Sequence, residues 1–479
     1  MRAALGALAL LLGCAPARVP SEAEAPARPR TTASAPEAGS TAPSALEPPE
    51  RGPSPERTLT DVTTTRRADG LLVTRWVRPD PGVTAIALEF DAGRAEEGAL
   101  RGASPWLAET LVARLTPALG AHGATLSVEP TLDGLTLRVD VSSERSAAAL
   151  TVLEGGLAPP TPPELTRTRA AALARETRAL AGLGATARAA ALRELFELPT
   201  SRHPHADALA DPSRLRALDA REVARWCAAR LRPERARLTV VGDVPSSTLE
   251  RWTVGAAAPV AAPHVAPAPL ARTKLTVLVV DQPGATMAHA LVAGLAPSAT
   301  DPRAPLVAVA WTALGSQVPG ARAFVEPFAD GSSVVGLEAQ AAPAAAVDFV
   351  SAVLGRAVEL SSRTLDERSL QLARARASDD VLFELETPSR SRELLVTLTR
   401  LGVSPEGFDR MRETARETSA RAVLTAMRSA GQPSALVVSV AGDAARLTPA
   451  LRRHAEVLVL TAERDFAIVA RLGHAPAGF

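Results

Sequence analysis

The sequence predicts an α+β protein built from two duplicated halves, and three observations support this fold class. A chain of 479 residues exceeds what one hydrophobic core usually organises, so two or more domains are expected. Short stretches of alternating apolar residues, typical of strands, are interspersed with longer helical stretches. Two short motifs also recur at nearly one offset. Pro81-Gly82 returns as Pro283-Gly284, and Gly242-Asp243 returns as Gly442-Asp443, each about two hundred positions later.

The predicted elements follow the same order in both halves. In the first half, residues 58–253, they are strands 71–77 and 83–90, a helix within 98–117, strands 121–128 and 135–141, helices 165–181, 187–198 and 219–231, and a strand 237–244. Residues 254–272 are rich in proline and alanine and predict a linker. The second half, 273–479, restarts with a strand at 275–280 and continues with helices 343–360, 364–383, 388–401 and 405–428, and a last strand 456–460.

The N-terminus predicts a lipid anchor. Residues 1–14, MRAALGALALLLGC, combine a basic start, a short apolar run and a Leu-Leu-Gly-Cys ending typical of bacterial lipoproteins. The apolar run is too short to span a bilayer, so we expect cleavage before Cys14 and lipidation of that cysteine. An ordinary secretory peptide is the alternative. Ala15 favours outer-membrane sorting, with the protein facing the periplasm, and residues 15–57 have the composition of a disordered tether.

Charge and cysteine content argue against a nucleic-acid-binding function and against a disulfide framework. Lys+Arg number 53 against 52 Asp+Glu, and no basic block stands out, so we expect no nucleic-acid partner. With Cys14 lipidated, Cys227 has no partner for a disulfide. We therefore expect Cys227 to be a small buried apolar side chain.

The stretch GALRGASPWLAETLVARLTP, residues 98–117, follows the segment FDAGRAEE, residues 90–97. A helix can bind a catalytic metal when two ligands lie one turn apart with a carboxylate beside them. In its frame this stretch resembles the inverted zinc motif H-x-x-E-H of the insulinase and pitrilysin (mitochondrial-processing-peptidase-like) metallopeptidases. The resemblance implies two halves, each a mostly antiparallel sheet covered by helices, which face each other across a cavity like a clamshell.

Carried over residue by residue, the resemblance implies that the catalytic positions have changed. Glu109 matches the family's general base and Glu176 its zinc glutamate, but Trp106 and Thr110 stand where the family has zinc-binding histidines. An indole nitrogen only donates hydrogen bonds, and a threonine hydroxyl is a poor zinc ligand. Arg322 is the match to a substrate-binding arginine. We therefore expect no catalysis and no cofactor.

For the other candidate residues we expect structural roles. His203-Pro204-His205 could bind a metal, but the family has a similar H-P-aromatic loop with a structural role. His289, in an alternating strand that could face the cleft between the halves, is expected to be structural rather than a ligand. Ser104 is expected to be a helix N-cap, followed by Pro105 at the first helical position, rather than a nucleophile.

Three functions remain open at this point. The first is a non-catalytic insulinase-like lipoprotein that is the partner subunit of an active zinc peptidase. The second is a free-standing module that binds an extended peptide by adding it to a sheet edge. The third is an active zinc metalloendopeptidase with atypical ligands, in which case zinc would be the cofactor. Peptide or protein is the ligand class that the resemblance implies.

Overall fold

Two mixed β-sheets, one in each half, organise the fold of this computed structural model, which describes residues 59, 61–78, 82–198, 203–255 and 267–475 apart from the side chain of Asp380. The predicted signal peptide with Cys14 and the predicted tether lie outside the described residues. Within the described ranges, no helix is both long enough and apolar enough to cross a membrane.

The first half contains a six-stranded sheet in the order β1-β2-β6-β3-β5-β4. Its elements are β1 (Val62–Arg66), β2 (Leu72–Trp76), β3 (Val83–Phe90), α1 (Ala103–Gly120), β4 (Thr125–Pro130), β5 (Leu135–Ser142), α2 (Ser146–Gly156), α3 (Pro162–Ala181), α4 (Leu183–Leu195), α5 (Pro212–Ala217), α6 (Ala220–Arg230), β6 (Ala236–Val241) and α7 (Ser246–Arg251). Neighbouring strands are antiparallel except β2 and β6, which are parallel.

The second half contains a seven-stranded sheet in the order β13-β12-β7-β11-β8-β10-β9. Its elements are β7 (Thr276–Asp281), β8 (Ala288–Ala296), α8 (Ala304–Ser316), β9 (Arg322–Pro327), β10 (Ser333–Ala341), α9 (Pro343–Ser362), α10 (Glu367–Asp379), α11 (Pro388–Leu401), α12 (Pro405–Glu417), α13 (Ala420–Ala430), β11 (Val437–Gly442), α14 (Ala444–Leu451), β12 (Val457–Thr461) and β13 (Ala467–Leu472). Here β7 is parallel to both β11 and β12.

The two strand orders confirm the predicted duplication and the α+β class. Strands β7, β11, β8, β10 and β9 occupy the places that β2, β6, β3, β5 and β4 occupy in the first sheet. The helices also follow the same order, so that α4 and α11 hold equivalent places in the two halves. The halves face each other as in a clamshell, each a mostly antiparallel sheet covered by helices.

Each half contributes one helix to the inner face of the other half's sheet. Helix α4 packs on β8 and β11, and helix α11 packs on β3 and β6. Strand β3 shows why both of its faces need cover. Ile86 and Leu88 pack in the core beneath the first half's own helices, whereas Ala85, on the opposite face, packs with Leu394 and Leu398 of α11. Neither sheet therefore buries both faces without the other half.

Two predicted boundaries in the second half are wrong. The helix expected over 405–428 is interrupted, because the Ser419 hydroxyl accepts the Ala422 N–H at 3.1 Å and caps a new helix, α13. The strand expected to close the fold at 456–460 corresponds to β12, but β13 follows it and adds an outer strand to the sheet. By contrast, Asp219 caps α6 as predicted, with its carboxylate accepting the Arg221 N–H at 2.9 Å.

We expect Leu394→Ala to lower the free energy of unfolding by about 2–5 kcal/mol, because it leaves a cavity in the contact between α11 and the first sheet. Leu394 is fully buried, whereas the control residue Leu372 is 41% exposed, and Leu372→Ala should change the free energy of unfolding little. Chemical denaturation should show one cooperative transition for both halves. Two separate transitions, only one of which is shifted by Leu394→Ala, would contradict the shared core.

Candidate functional site

Helix α1 begins one turn before the residues that match the zinc motif, and a buried glutamate fixes its start. The N-cap is Gly102, with φ of 103°. The Glu97 carboxylate accepts the N–H of Gly102 at 2.7 Å and that of Ser104 at 2.8 Å, and it also accepts the Ser104 hydroxyl. The prediction that Ser104 is the N-cap is therefore wrong. Glu97 meets the unpaired first-turn amides, which favour a carboxylate at a helix N-terminus.

The two positions that match the family's zinc histidines are filled by packed side chains. Trp106 is fully buried, and its indole N–H donates to the Leu165 carbonyl at 2.6 Å. The Arg169 guanidinium lies over the indole ring at 4.5 Å, as a cation–π contact. One turn later, the buried Thr110 hydroxyl donates to the Trp106 carbonyl at 2.9 Å and lies 2.7 Å from the Thr168 hydroxyl. Both side chains are thus engaged inside the protein.

Glu109, the match to the general base, forms an ion pair. Arg175 of α3 donates its Nε–H to Glu109 Oε1 at 2.6 Å, and a second guanidinium nitrogen of Arg175 donates to the Val128 carbonyl at 3.2 Å. The side chains of Glu109 and Arg175 are 16% and 25% exposed. The guanidinium therefore joins the helix to strand β4 and occupies one oxygen of the carboxylate.

Glu176, the match to the zinc glutamate, is buried and forms a two-pronged ion pair with Arg94. The two guanidinium nitrogens donate to its two oxygens at 3.0 and 2.7 Å, and the Ala210 N–H donates to Oε2 at 3.0 Å. Burial opposes the charge on Arg94, but the carboxylates of Glu176 and Glu97 more than offset it, so the pKa of Arg94 is raised. Arg94 was not singled out from the sequence.

The residues at these positions do not fit a zinc ion. Zinc in proteins binds imidazole, thiolate and carboxylate ligands. Here an indole and a hydrogen-bonded hydroxyl replace the imidazoles, and both carboxylates already have a guanidinium as their positive partner. A metal ion would have to displace Arg94 and Arg175 and leave at least one guanidinium buried without its carboxylate, which is costly.

Arg322, the match to the substrate-binding arginine, lies on β9 in the second sheet. Its guanidinium is 3.6 Å from Glu338 Oε1, and its side chain is 45% exposed. Glu338 is shared with Arg188 of α4, at 3.6 Å, and with His289, at 3.4 Å. Burial raises the pKa of Glu338, but His289 and the two arginines lower it by more than burial raises it. The pKa of Glu338 is therefore below its ordinary value. His289 thus faces α4, in a contact between the halves.

The histidine pair after α4 has a tautomer that disfavours metal binding. Ligand atoms of His203, His205 and Asp330 lie within 4.8 Å of one another. However, His203 Nδ1 accepts the His205 backbone N–H at 3.1 Å, so in the neutral ring the proton is on Nε2. That nitrogen then has no lone pair to give to a metal. The geometry agrees with the structural role that the family resemblance implies.

Comparisons with known proteins give the fold. No family model matches the sequence, and no curated protein matches it. Solved structures do match, at low sequence identity. The peptidase M16 inactive domain from Pseudomonas fluorescens has 16% identity and a TM-score of 0.65, covering 80% of this chain and 98% of that chain. A chain of complex III2 from Candida albicans, solved with Inz-5 bound, has 16% identity and a TM-score of 0.68, covering 81% and 97%.

A third match is the putative M16-like peptidase from Alicyclobacillus acidocaldarius, with 15% identity and a TM-score of 0.66, covering 79% of this chain and 97% of that chain. Each match covers 79–81% of this chain, which is more than either half alone contains, so it includes residues of both halves. The chain therefore has the M16-like fold, which is the insulinase-like fold that its sequence resembles.

Proposed function

We propose that this protein is a non-catalytic homologue of insulinase-family peptidases that is the partner subunit of an active zinc peptidase. The observation that carries the proposal is the Glu176–Arg94 ion pair, in which a guanidinium takes the place of the metal beside the family's zinc carboxylate. The pair is buried and bidentate, so it is an integral part of the folded core.

Catalysis by this family's chemistry requires two things at α1. A metal must polarise a water molecule, and a carboxylate must be free to take its proton. Trp106 and Thr110 provide no metal ligands, and Arg175 holds the Glu109 carboxylate. The same contacts stabilise the fold, since they tie α1 to α3 and β4. The site is therefore suited to holding the first half together rather than to hydrolysis.

Two of the similar structures support a partner role. One carries the description of an inactive domain, and another is a chain of a multi-subunit complex. A chain with this fold can therefore occur as an inactive unit, and one can occur within an assembly. For this protein we propose an assembly with an insulinase-family chain that retains H-x-x-E-H, with peptide or protein as the shared ligand. The alternative is a free-standing module that binds a peptide alone.

We further propose that the protein is a lipoprotein of the cell envelope. The Leu-Leu-Gly-Cys ending before residue 15 supports a lipid on Cys14, and the composition of residues 15–57 supports a tether between lipid and folded region. Ala15 supports an outer-membrane location facing the periplasm.

Metal content and proteolysis test the non-catalytic proposal. We expect the purified region from residue 58 to contain far less than one zinc per chain by elemental analysis, and to leave test peptides uncut, because its donors are already paired. An active homologue with intact H-x-x-E-H is the control. Stoichiometric zinc with chelator-sensitive cleavage, both lost in Glu176→Ala, would instead establish an active enzyme with atypical ligands.

Affinity capture from the native cell envelope tests the partner role. We expect an insulinase-family chain with intact H-x-x-E-H to co-purify, and its peptide cleavage to increase when this protein is added back. Binding of extended peptides by the isolated protein, with no such chain captured, would favour the free-standing module.

We expect Arg94→Met to lower the free energy of unfolding by about 3–5 kcal/mol, because the Glu176 carboxylate then remains buried without a counter-charge. The double variant Arg94→Met with Glu176→Met should recover part of this loss, because the buried Glu97 still loses its neighbouring guanidinium, and chemical denaturation measures both. Arg225→Met is the matched control, since the Arg225 side chain is 77% exposed and its pair with Glu222 is a surface contact. Equal losses for the single and double variants would contradict a buried ion pair.

Cys14→Ser should release the protein from the membrane fraction, because the cysteine is the expected site of lipidation. Mass spectrometry of the wild-type N-terminus should show a lipidated cysteine as the first residue. A wild-type chain cleaved elsewhere and recovered in the soluble fraction would instead indicate an ordinary secretory peptide.

A further inference from the structure

The tips of two equivalent hairpins, one from each half, meet in the interface between the halves. The turn between β4 and β5 contains Asp133, and the turn between β9 and β10 contains Asp330. In both turns the aspartate is followed by glycine, and the flanking strands hold the same places in the two sheets. The Ala329 N–H of the second tip donates to Asp133 Oδ2 of the first at 3.0 Å. The two aspartates are therefore close to each other at a point where the halves touch.

A single imidazole lies between these two carboxylates. His205 Nε2 is 3.1 Å from Asp133 Oδ1, and His205 Nδ1 is 3.3 Å from Asp330 Oδ2. The ring stacks on Phe328 of the second half, with centroids 4.4 Å apart, and the His205 side chain is only 3% exposed. The other oxygen of Asp330 is fixed by the Ser332 N–H at 2.8 Å and the Ser332 hydroxyl at 2.7 Å. Each ring nitrogen thus faces a carboxylate from a different half.

Four further titratable or charged groups lie around this centre: His203, Arg400, Glu89 and Arg237. His203 Nε2 is 3.6 Å from Asp330 Oδ2, and because its Nδ1 accepts the His205 N–H, it is neutral and carries its proton on Nε2. Burial lowers the pKa of His203, and the neighbouring His205 charge adds to the shift. Arg400 Nε, from the end of α11, is 3.8 Å from Asp133 Oδ2, and another nitrogen of Arg400 is 3.6 Å from the buried Glu89.

From this geometry we propose that doubly protonated His205 is a clasp that holds the two halves together at their hairpin tips. A cation between the two carboxylates attracts both, because Nε2 is within hydrogen-bond distance of Asp133 and Nδ1 lies 3.3 Å from Asp330 in an ion-pair contact. Without that charge, Asp133 and Asp330 repel each other across the interface at low dielectric, and the tips separate. The clasp thus links the protonation of one side chain to the contact between the halves.

The direction of the pH dependence follows from the same contacts. Burial opposes the charge on His205, but the hydrogen bonds and charges of Asp133 and Asp330 more than offset it and raise the pKa of His205 to about 9. This folded-state pKa lies above the ordinary value of about 6.5. The stabilising contribution is therefore complete below about pH 6.5 and is lost as the pH rises through about 9.

The composition of the chain makes this alkaline transition easy to observe. The sequence contains no tyrosine and a single lysine, Lys274. Burial raises the pKa of the Cys227 thiol to about 12. Few other groups therefore change charge between pH 8 and 10, and arginine stays protonated throughout.

The test compares the full chain with three variants by thermal unfolding at pH 7 and pH 10. For the wild type we expect the midpoint to fall by roughly 3–6 °C at pH 10, from the loss of the His205 charge. His205→Phe keeps an aromatic ring but no charge, so its midpoint should already be low at pH 7 and should change little with pH. Adding Asp330→Asn to His205→Phe removes the repulsion and should restore part of the midpoint. His122→Phe, outside the interface, is the control and should behave as the wild type.

Hydrogen exchange at pH 7 locates the effect. In His205→Phe the amides of turns 131–134 and 328–331 should exchange roughly tenfold faster or more, while those of β3 and β8 keep their protection. Asp330→Asn alone should move the alkaline transition to lower pH, which gives a second measurement if His205→Phe does not fold. A wild-type midpoint equal at pH 7 and pH 10, or one raised by added zinc, would overturn the clasp.

Discussion

The reciprocal packing of α4 and α11 is the constraint on which the rest of the structure depends. Each helix leaves its own half and covers the inner face of the other sheet. The inner face of the second sheet is apolar, with Val280 and Leu291 buried, whereas the inner face of the first sheet combines Ala85 with the buried polar residues Glu89 and Thr239. Exposing either face would cost a large part of the stability of the protein. Because α4 and α11 hold equivalent places in the two halves, the same helix-on-sheet packing covers the inner face of each sheet. The interface between the halves therefore combines apolar packing with buried polar contacts, such as that of the Arg392 guanidinium, which donates to Asp140 at 2.7 Å.

In the α1 region, arginine side chains supply the positive charges that balance the carboxylates. Arg94 and Arg175 each neutralise a carboxylate that matches a catalytic residue of the family, and Arg169 covers the indole that replaces a histidine. A guanidinium suits this task because it is always charged and donates in a planar fork. Most polar groups of the site are therefore satisfied by one another, as is usual for buried polar groups, although Arg169 Nε has no hydrogen-bond partner.

From the sequence we could predict which candidate site residues share a helix, but not which residues from other elements pair with them. Trp106, Glu109 and Thr110 have the spacing of the H-x-x-E-H motif, so the family resemblance implied that they share one helix. The partners of the two glutamates could not be found in the same way, since Arg94 precedes Glu176 by several elements and the pairing is tertiary. The error at Ser104 has a similar origin. Its hydroxyl is a good N-cap by type, but Glu97, held by the preceding turn, reaches the first-turn amides instead. In the same way, the break at Ser419 is a local cap within an otherwise continuous helical pattern.

The exchange of α4 and α11 also sets an order of events during synthesis. The first sheet has all its strands once the chain has passed Val241, but the helix that covers its inner face ends only at Leu401. Until then Ala85 and Val241 have no α11 to pack against. The N-terminal half therefore cannot complete its core while the chain is still emerging, and folding is deferred until most of the polypeptide is available.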